Sequence, residues 1–225
     1  MSKMFTFNGK RMVTWNLFTG CNFNCSYCWA RQLAETRLKA SYPNGFIPTT
    51  HPDRFNRHFK PDDFVFPVSM GDIAFAPTPV WRTILHSVRN YPDTKFLLCT
   101  KAPSVYHNLQ LSLMSNLYLG ATLETNIKHP ELSKAHPVTR RYHDMKYLAH
   151  PNKFISIEPI MDFDLNTFIQ WVLDINPEIV EVGADNYNNN LPEPSSDKIK
   201  ILLSELRKFG RTVIEKQGLE RLLNV

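Results

Sequence analysis

Short apolar runs alternate with segments of helical periodicity along most of the chain, and this alternation constrains the fold most. The strand candidates are RMVTWNLF, DDFVFPVSMGD, TKFLLCTKAP, NLYLGATLET, KFISIEPIMD, EIVEVGADNY and RTVIEKQG. Between them lie WARQLAETRLKA, PVWRTILHSVRNY, the short segment SVYHNLQLSL, RRYHDMKYLAH, LNTFIQWVLDIN and SSDKIKILLSELRKFG. Because the strand candidates are apolar throughout, we expect parallel strands that are buried on both faces.

The repeated strand–helix order predicts right-handed crossovers and one parallel sheet. We count six such units and a possible seventh strand. A complete eightfold barrel usually needs about 250 residues, and this chain has 225. We therefore expect an α/β fold, a partial and open parallel (β/α)6 barrel, that forms a single domain over residues 1–225.

Composition narrows the class of protein. The chain is 43% hydrophobic and 21% charged, which is typical of a globular domain. No apolar run approaches the ~20 residues that span a membrane, and the start, MSKMFTFNGKRMVTW, lacks the apolar stretch of a signal peptide. We therefore expect a cytoplasmic protein with no membrane contact. The net charge of +5 permits a polyanionic partner without requiring one.

One segment, residues 41–63, interrupts the alternation where the first crossover should return to the sheet. It is rich in proline, and its basic residues alternate with aromatic ones. The basic residues are Arg54, Arg57, His58 and Lys60, and the aromatic ones are Phe46, Phe55 and Phe59. Such an insertion is either a plain surface excursion or a loop that contacts substrate, because long ordered loops are often functional. Single-stranded nucleic acid is bound by this combination of rings and cations.

Three of the four cysteines lie in GCNFNCSYCWA, residues 20–30, at positions 21, 25 and 28. A reducing cytoplasm disfavours structural disulfides, so a cluster of cysteines indicates metal binding or catalysis. A closed zinc site needs a fourth ligand, which His51 or His58 could supply. An iron–sulfur cluster on three cysteines instead leaves one iron open to a cofactor or substrate. The cysteines follow the first strand, and that end of a (β/α) barrel is its active face.

The C-x3-C-x2-C spacing, with aromatic Tyr27 before the last cysteine, resembles the radical S-adenosylmethionine (radical SAM) superfamily. The resemblance implies that Cys21, Cys25 and Cys28 hold a 4Fe–4S cluster and that SAM chelates its open iron. It further implies a 5′-deoxyadenosyl radical that abstracts hydrogen from a substrate, and an external reductant of the flavodoxin or ferredoxin type. Strand context, aromatic residue and spacing all agree with this resemblance.

Further motifs extend the resemblance over nearly the whole chain. They are HPDRF, VSMGD, LLCTKAP, LGATLET, ISIEPIMD, VEVGADN and VIEKQG, in that order. Together they resemble a phage- and prokaryote-associated radical SAM family of unassigned function. The chain departs from that family in its narrower first cysteine gap, at Ala184 and at Leu219. These departures leave the implied cofactor untouched and put a shared substrate in doubt.

The resemblance also assigns roles to residues at the strand ends. The implied SAM-binding residues are Tyr27, Gly71, Asp72, Lys101, Thr122, Glu124, Arg140 and Glu158. Of these, Asp72 and Glu158 are the candidate catalytic carboxylates. Glu158 ends a very apolar run, where a carboxylate is either partnered in the barrel mouth or strained by burial, and we favour the mouth. Asp185, Asn186, Lys216 and Gln217 are candidate substrate contacts. Cys99 is expected to be a small buried hydrophobe.

The candidate substrate is a nucleotide or a nucleic-acid base, which would place the chain in DNA modification or repair. This inclination rests on the phage association of the resembled family and on the open side of a partial barrel. Two alternatives from other classes remain. One is a zinc-binding nucleic-acid module without catalysis, and the other is a simple iron–sulfur electron carrier that has no SAM site.

Overall fold

The computed structural model describes residues 6–7, 10–107 and 114–223. Its main element is a seven-stranded sheet in which every neighbouring pair is parallel. The strands in spatial order are β3 (Val13–Trp15), β6 (Phe64–Pro67), β7 (Lys95–Thr100), β8 (Leu117–Thr122), β9 (Lys153–Ile157), β10 (Ile179–Val182) and β11 (Thr212–Glu215). Since β3 and β11 do not pair, the sheet is an open half-barrel. The predicted partial barrel and its possible seventh strand are confirmed.

Two small antiparallel pairs accompany this sheet. One joins β1 (Thr6–Phe7) to β2 (Lys10–Arg11), and the other joins β4 (Phe18–Thr19) to β5 (Thr49–Thr50). Neither pair was predicted, because strands of two residues are too short to show periodicity.

Helices fill the crossovers. They are α1 (Trp29–Glu35), α2 (Thr78–Asn90), α3 (Val138–Lys146), α4 (Leu165–Ile175), α5 (Ser196–Lys208) and the short α6 (Glu220–Leu223). Single 3-10 turns occupy Lys39–Ser41, Pro52–Arg54, Ile73–Phe75 and Pro103–Tyr106. The predicted segment SVYHNLQLSL thus begins in a 3-10 turn, and its residues 108–113 lie outside the described residues. No helix in the described part of the chain is both long and apolar enough to cross a bilayer.

Strand residues alternate between two apolar layers, because successive side chains in a strand point to opposite faces. Leu98, Ile155 and Val180 belong to the large core beneath the helices. Their neighbours Leu97, Phe154 and Ile179 belong to a smaller cluster on the concave face. The smaller cluster therefore occupies part of the concave face of the half-barrel.

The insertion at residues 41–63 packs along β3, the edge strand. The indole N–H of Trp15 donates to the carbonyl of Arg54 at 2.7 Å, and the Arg57 guanidinium donates to the carbonyl of Thr14 at 2.7 Å. The Phe59 ring is buried against Trp15, with ring centroids 5.1 Å apart. The segment therefore covers an edge that would otherwise expose unpaired backbone groups.

Candidate active site

A cavity of about 620 Å³ lies at the carboxyl ends of the strands. Its walls include all three cysteines of the loop at residues 20–28, hereafter the cysteine loop, and residues at the ends of β6 to β11. The predicted residues that line it are Cys21, Cys25, Tyr27, Cys28, Gly71, Asp72, Lys101, Thr122, Glu158, Asp185, Asn186, Lys216 and Gln217. Side chains two positions apart in a strand point to the same face. Cys99, Ser156 and Glu181, which line the cavity, each follow by two positions an apolar residue of the concave face, namely Leu97, Phe154 and Ile179.

Glycines allow the cysteine loop to approach the second strand unit. Gly20 has a φ of +88° and forms a parallel bridge with Gly71. A Cβ on Gly20 would lie 2.3 Å from the Ile47 carbonyl oxygen, and one on Gly71 would lie 2.8 Å from the Gly20 oxygen. Only glycine fits at such distances, so the backbone itself fixes where the first cysteine begins.

The three thiols face one cavity and have little solvation. Cys21 Sγ accepts from the Phe23 amide and Cys28 Sγ from the Arg31 amide, both at 3.4 Å, and Cys28 is the N-cap of α1. Burial raises the pKa of the Cys21 and Cys28 thiols, and in the case of Cys21 the Asp72 carboxylate raises it further. Thiolates at this position therefore need a bound cation. Three sulfurs from one loop with an open cavity on the other side fit a cluster that leaves one iron free.

The histidines that the zinc alternative would use point elsewhere. His51 Nε2 lies 2.9 Å from the Thr19 hydroxyl, and His58 Nδ1 lies 3.1 Å from the Tyr91 hydroxyl. Neither histidine lines the cavity with the cysteines. In the described part of the chain, no three His, Cys, Asp or Glu side chains are grouped so that they could hold a single metal ion.

An irregular segment at residues 132–135, hereafter the strap, lies against the cysteine loop. The Ser26 amide donates to the Leu132 carbonyl at 2.9 Å, and the Lys134 amide donates to the Phe23 carbonyl at 2.7 Å. Between these two bonds, Ser133 Oγ lies 3.1 Å from Cys25 Sγ. Sequence reasoning missed the strap, because nothing in LSKA has a periodicity or motif that indicates a contact so far along the chain.

Asp72 is buried, and the protein itself satisfies its carboxylate. Oδ1 accepts from the Thr100 hydroxyl at 2.5 Å and the Ala74 amide at 2.9 Å, while Oδ2 accepts from the Lys101 amide at 2.9 Å. These bonds join the end of β6 to the end of β7. The Asp72 carboxylate therefore links the two strand ends, and both Asp72 and Gly71 line the cavity.

Glu124 is buried below the cavity among three partners. The Tyr27 hydroxyl donates to Oε1 at 2.7 Å, Arg141 donates to Oε2 at 2.8 Å, and the Lys101 ammonium pairs with Oε1. Burial would raise the pKa of Glu124, but the charges of Arg141 and Lys101 outweigh burial and lower that pKa to about 2. Glu124 is thus an ionised anchor for its neighbours and does not line the cavity.

The predicted Arg140 does not reach the site. Its side chain is 58% exposed and lies 3.9 Å from Asp144 one helical turn away, whereas the Arg141 side chain is only 7% exposed. Arg141 also donates to the Thr122 carbonyl at 2.5 Å. The helical period could have identified it, because Val138, Arg141, Tyr142 and Met145 form the buried face of α3.

Glu158 and Glu181 form the far wall of the cavity with Lys216. The Lys216 ammonium pairs with Glu158 and lies 3.7 Å from Glu181, which also accepts from the Ser156 hydroxyl at 2.7 Å. Burial raises the pKa of Glu158, and Lys216 opposes that rise. Both candidate catalytic carboxylates line the cavity. The Glu158 side chain is 21% exposed, whereas Asp72 is buried, so Glu158 is the more accessible of the two.

The candidate substrate contacts Asp185 and Asn186 also form hydrogen bonds within the loops that follow the last two strands. The Asp185 carboxylate accepts from the Tyr187 and Asn189 amides at 3.1 and 2.5 Å and shapes the loop after β10. Asn186 donates to the Gln217 carbonyl at 2.9 Å and so joins the last two strand ends. Cys99 differs from its prediction, since it is half-buried and lines the cavity, 3.8 Å from the Thr122 hydroxyl. Burial raises the pKa of its thiol to about 12.

Comparisons with known proteins identify the fold. No protein-family model and no curated protein matches the chain. Among solved structures, spore photoproduct lyase complexed with dinucleoside spore photoproduct matches with a TM-score of 0.57 at 10% identity, over 85% of this chain and 60% of that chain. A mutant of the same enzyme with bound AdoMet and the dinucleoside matches with a TM-score of 0.54 at 12% identity, over 87% and 61%.

A further spore photoproduct lyase mutant gives a TM-score of 0.63 at 11% identity, over 89% of this chain and 75% of that chain. The chain therefore spans about three fifths of the length of the first two structures. At these identities the likeness establishes a shared fold, the partial barrel with its open side.

Proposed function

We propose that the chain is a radical SAM enzyme in which Cys21, Cys25 and Cys28 hold a 4Fe–4S cluster. One observation carries the proposal: three thiols from one loop, one buried and two partly buried, open onto a cavity at the carboxyl ends of the strands of a half-barrel. Strand ends on that face are where enzymes with parallel α/β barrels place their chemistry. When bound, the cluster and SAM would supply a 5′-deoxyadenosyl radical for hydrogen abstraction.

Residues of this chain would bind and orient SAM across the strand ends. Tyr27 and Gly71 would offer backbone groups, since glycine allows a ligand to approach closely. Thr122 and Lys101 line the middle of the cavity, and the Lys101 ammonium also lies 5.2 Å from the centroid of the Tyr27 ring. Leu97 and Phe154 of the smaller apolar cluster also line the cavity, and apolar walls would help to exclude water from a reactive intermediate.

The proposed substrate is a nucleotide or a base in nucleic acid, with DNA modification or repair as the role. Support comes from the fold shared with an enzyme whose structures carry a dinucleoside photoproduct. The insertion at residues 41–63 supports it less than the sequence suggested, because Arg54 and Arg57 donate to backbone carbonyls of residues 16 and 14. Phe46 is the member of that segment's basic and aromatic set that lines the cavity.

Two other cations, Arg31 and Arg37, act on residues that line the cavity, and we propose them as phosphate contacts. The Arg31 guanidinium lies 5.9 Å from the centroid of Phe46, a cavity residue. Arg37 is exposed and its charge acts on the Tyr187 phenol, which also lines the cavity. The cavity walls carry more carboxylates than ammonium groups, so a nucleotide would place its base inside and its phosphates near α1.

The remaining parts of the proposal concern the cellular compartment, the electron donor and the family. All four cysteines are free thiols, which suits the reducing cytoplasm, and an external flavodoxin- or ferredoxin-type reductant would deliver the electron. The motifs from HPDRF to VIEKQG support membership in the phage- and prokaryote-associated radical SAM family.

The decisive experiment is anaerobic reconstitution with iron and sulfide, followed by reduction with dithionite in the presence of SAM. We expect about four irons and four sulfides per chain, as one cubane cluster requires, and slow release of 5′-deoxyadenosine. Stoichiometric zinc without acid-labile sulfide would favour the zinc module. A cluster whose paramagnetic resonance spectrum does not change when SAM is added would favour the electron carrier. Oligonucleotides and nucleosides that stimulate 5′-deoxyadenosine release would identify the substrate class.

A further inference from the structure

The strap contacts the cysteine loop through one side chain as well as through its backbone. Ser133 Oγ lies 3.1 Å from Cys25 Sγ, and Cys25 is the only buried residue among the three cysteines of the loop. The flanking backbone bonds from Ser26 to Leu132 and from Lys134 to Phe23 hold this pair in register. The contact is thus built into the fold on both sides.

The direction of the Ser133 hydrogen bond follows from its second partner. Ser133 Oγ already accepts from the Ala135 amide at 3.0 Å. Its hydroxyl proton is therefore available for Cys25, and a metal-bound thiolate has no proton of its own to return. The Ser133 hydroxyl donates and the Cys25 sulfur accepts.

A donor at a cluster sulfur affects the two oxidation states unequally. Reduction adds negative charge that is shared with the cysteine sulfurs, and a hydrogen bond to a charged acceptor is stronger than one to a neutral acceptor. Hydrogen bonds to the sulfurs are among the factors that set iron–sulfur reduction potentials. The bond from Ser133 favours the reduced state.

We infer that Ser133 is a positioning residue that raises the reduction potential of the cluster on Cys21, Cys25 and Cys28 by hydrogen bonding to Cys25. The inference rests on the proposed function, since it needs that cluster. Ser133 does not line the cavity, so it acts through the Cys25 sulfur. Through Ser133, the strap in the crossover after β8 thereby affects how readily the cluster accepts an electron.

The test measures the midpoint potential of the reconstituted protein by redox titration, followed by paramagnetic resonance. Ser133→Ala should lower the equilibrium constant for reduction by about tenfold, which is about 59 mV for a one-electron couple. Ser133→Thr keeps the hydroxyl and should keep the wild-type potential. Ser26→Ala is the matched control, because it removes an exposed hydroxyl from the same loop.

Other outcomes separate this inference from the proposed function. An unchanged potential in Ser133→Ala, or equal shifts in Ser133→Ala and Ser26→Ala, overturns the role of Ser133. If Ser133→Ala loses the cluster, the isosteric pair Ser133→Thr and Ser133→Val decides, since the two differ by the hydroxyl alone. Loss of the cluster in all three variants marks Ser133 as structural and overturns the tuning role. Wild-type protein that takes up no cluster overturns the proposed function itself.

Discussion

The Tyr27 hydroxyl donates a 2.7 Å hydrogen bond to Glu124, which joins residues 97 positions apart in the sequence. Tyr27 lies between the second and third cysteines, and Glu124 lies just beyond β8. Since Glu124 is also paired with Arg141 and Lys101, the cysteine loop is tied to a buried ionic cluster. Removing the hydroxyl should therefore release the loop from that cluster.

Tyr27→Phe should loosen the cysteine loop without unfolding the barrel. It leaves one buried carboxylate oxygen short of a donor, which typically costs about 1–3 kcal/mol. We expect a lower unfolding temperature and faster bleaching of the reconstituted cluster in air, measured by its visible absorbance. Tyr147→Phe is the control, because Tyr147 is 70% exposed and should change neither quantity. Equal bleaching rates in wild type and Tyr27→Phe would show that the hydrogen bond from Tyr27 to Glu124 does not hold the cysteine loop in place.

Arg141→Met should destabilise the fold far more than Arg140→Met. Removing one partner of a buried ion pair costs about 3–5 kcal/mol, and Lys101 would remain as the other cation beside Glu124. Arg140 is 58% exposed and lies 3.9 Å from Asp144, and an ion pair with a solvent-exposed partner is worth about 0–1 kcal/mol. Urea unfolding of the two variants measures the difference. Similar losses in both would show that Arg141 is not the buried partner.

Cys25→Ala should abolish the brown colour of the anaerobically reconstituted protein, whereas Cys99→Ala should keep it. Cys25 is one of three sulfurs on the cysteine loop, and Cys99 faces the cavity from β7. Iron and acid-labile sulfide are the quantities to measure. A Cys99→Ala protein that also loses its iron would mean that the ligand set is misassigned.

Arg31→Gln combined with Arg37→Gln should weaken binding of single-stranded oligonucleotides. If the two arginines bind phosphates, the plot of log K against log salt should become less steep. Its negative slope should shrink in magnitude by about 0.7 for each phosphate that is no longer neutralised. Arg54→Gln with Arg57→Gln is the comparison, because those side chains donate to backbone carbonyls beside β3. Fluorescence anisotropy across a salt series measures both. A larger loss of affinity in the double variant of Arg54 and Arg57 would indicate that residues 41–63 bind the phosphates instead.

The ion pair of Asp174 with Lys146 should make stability depend on pH in the acid range. Hydrogen bonds from Lys146 and Tyr142 lower the pKa of Asp174 to about 2. A lowered carboxyl pKa contributes stability above the unfolded value, near 3.8, and that stability is lost as the pH falls towards 2. Wild type should therefore exceed Asp174→Asn in unfolding free energy at pH 5, with the gap closing below pH 4.

The matched control for this pair is Asp93→Asn, at an exposed aspartate. Chemical unfolding of the cluster-free chain between pH 2 and 6 gives the three curves. A gap between wild type and Asp174→Asn that stays constant over this range would mean that the ion pair does not form.

Arg141 and Asp72 show how far local patterns reach. The apolar runs predicted all seven strands of the sheet, because each run carries its own burial signal. The strand ends were correctly expected to converge on one face, since parallel strands share their carboxyl edge. The pattern could not tell Arg140 from Arg141 without the helical face, nor could it show that the Asp72 carboxylate would be satisfied by Thr100 and two amides.

The sequence by itself determined the half-barrel and the three clustered cysteines, because period and spacing are properties of neighbouring residues. Tertiary structure alone decided that Glu124 anchors Tyr27, that Arg57 covers an edge strand and that Ser133 meets Cys25. The last of these pairs joins residues 108 positions apart. Such pairings depend on how the crossovers pack, and they leave no periodic trace in the chain, so only the folded arrangement reveals which polar groups remain available to a ligand.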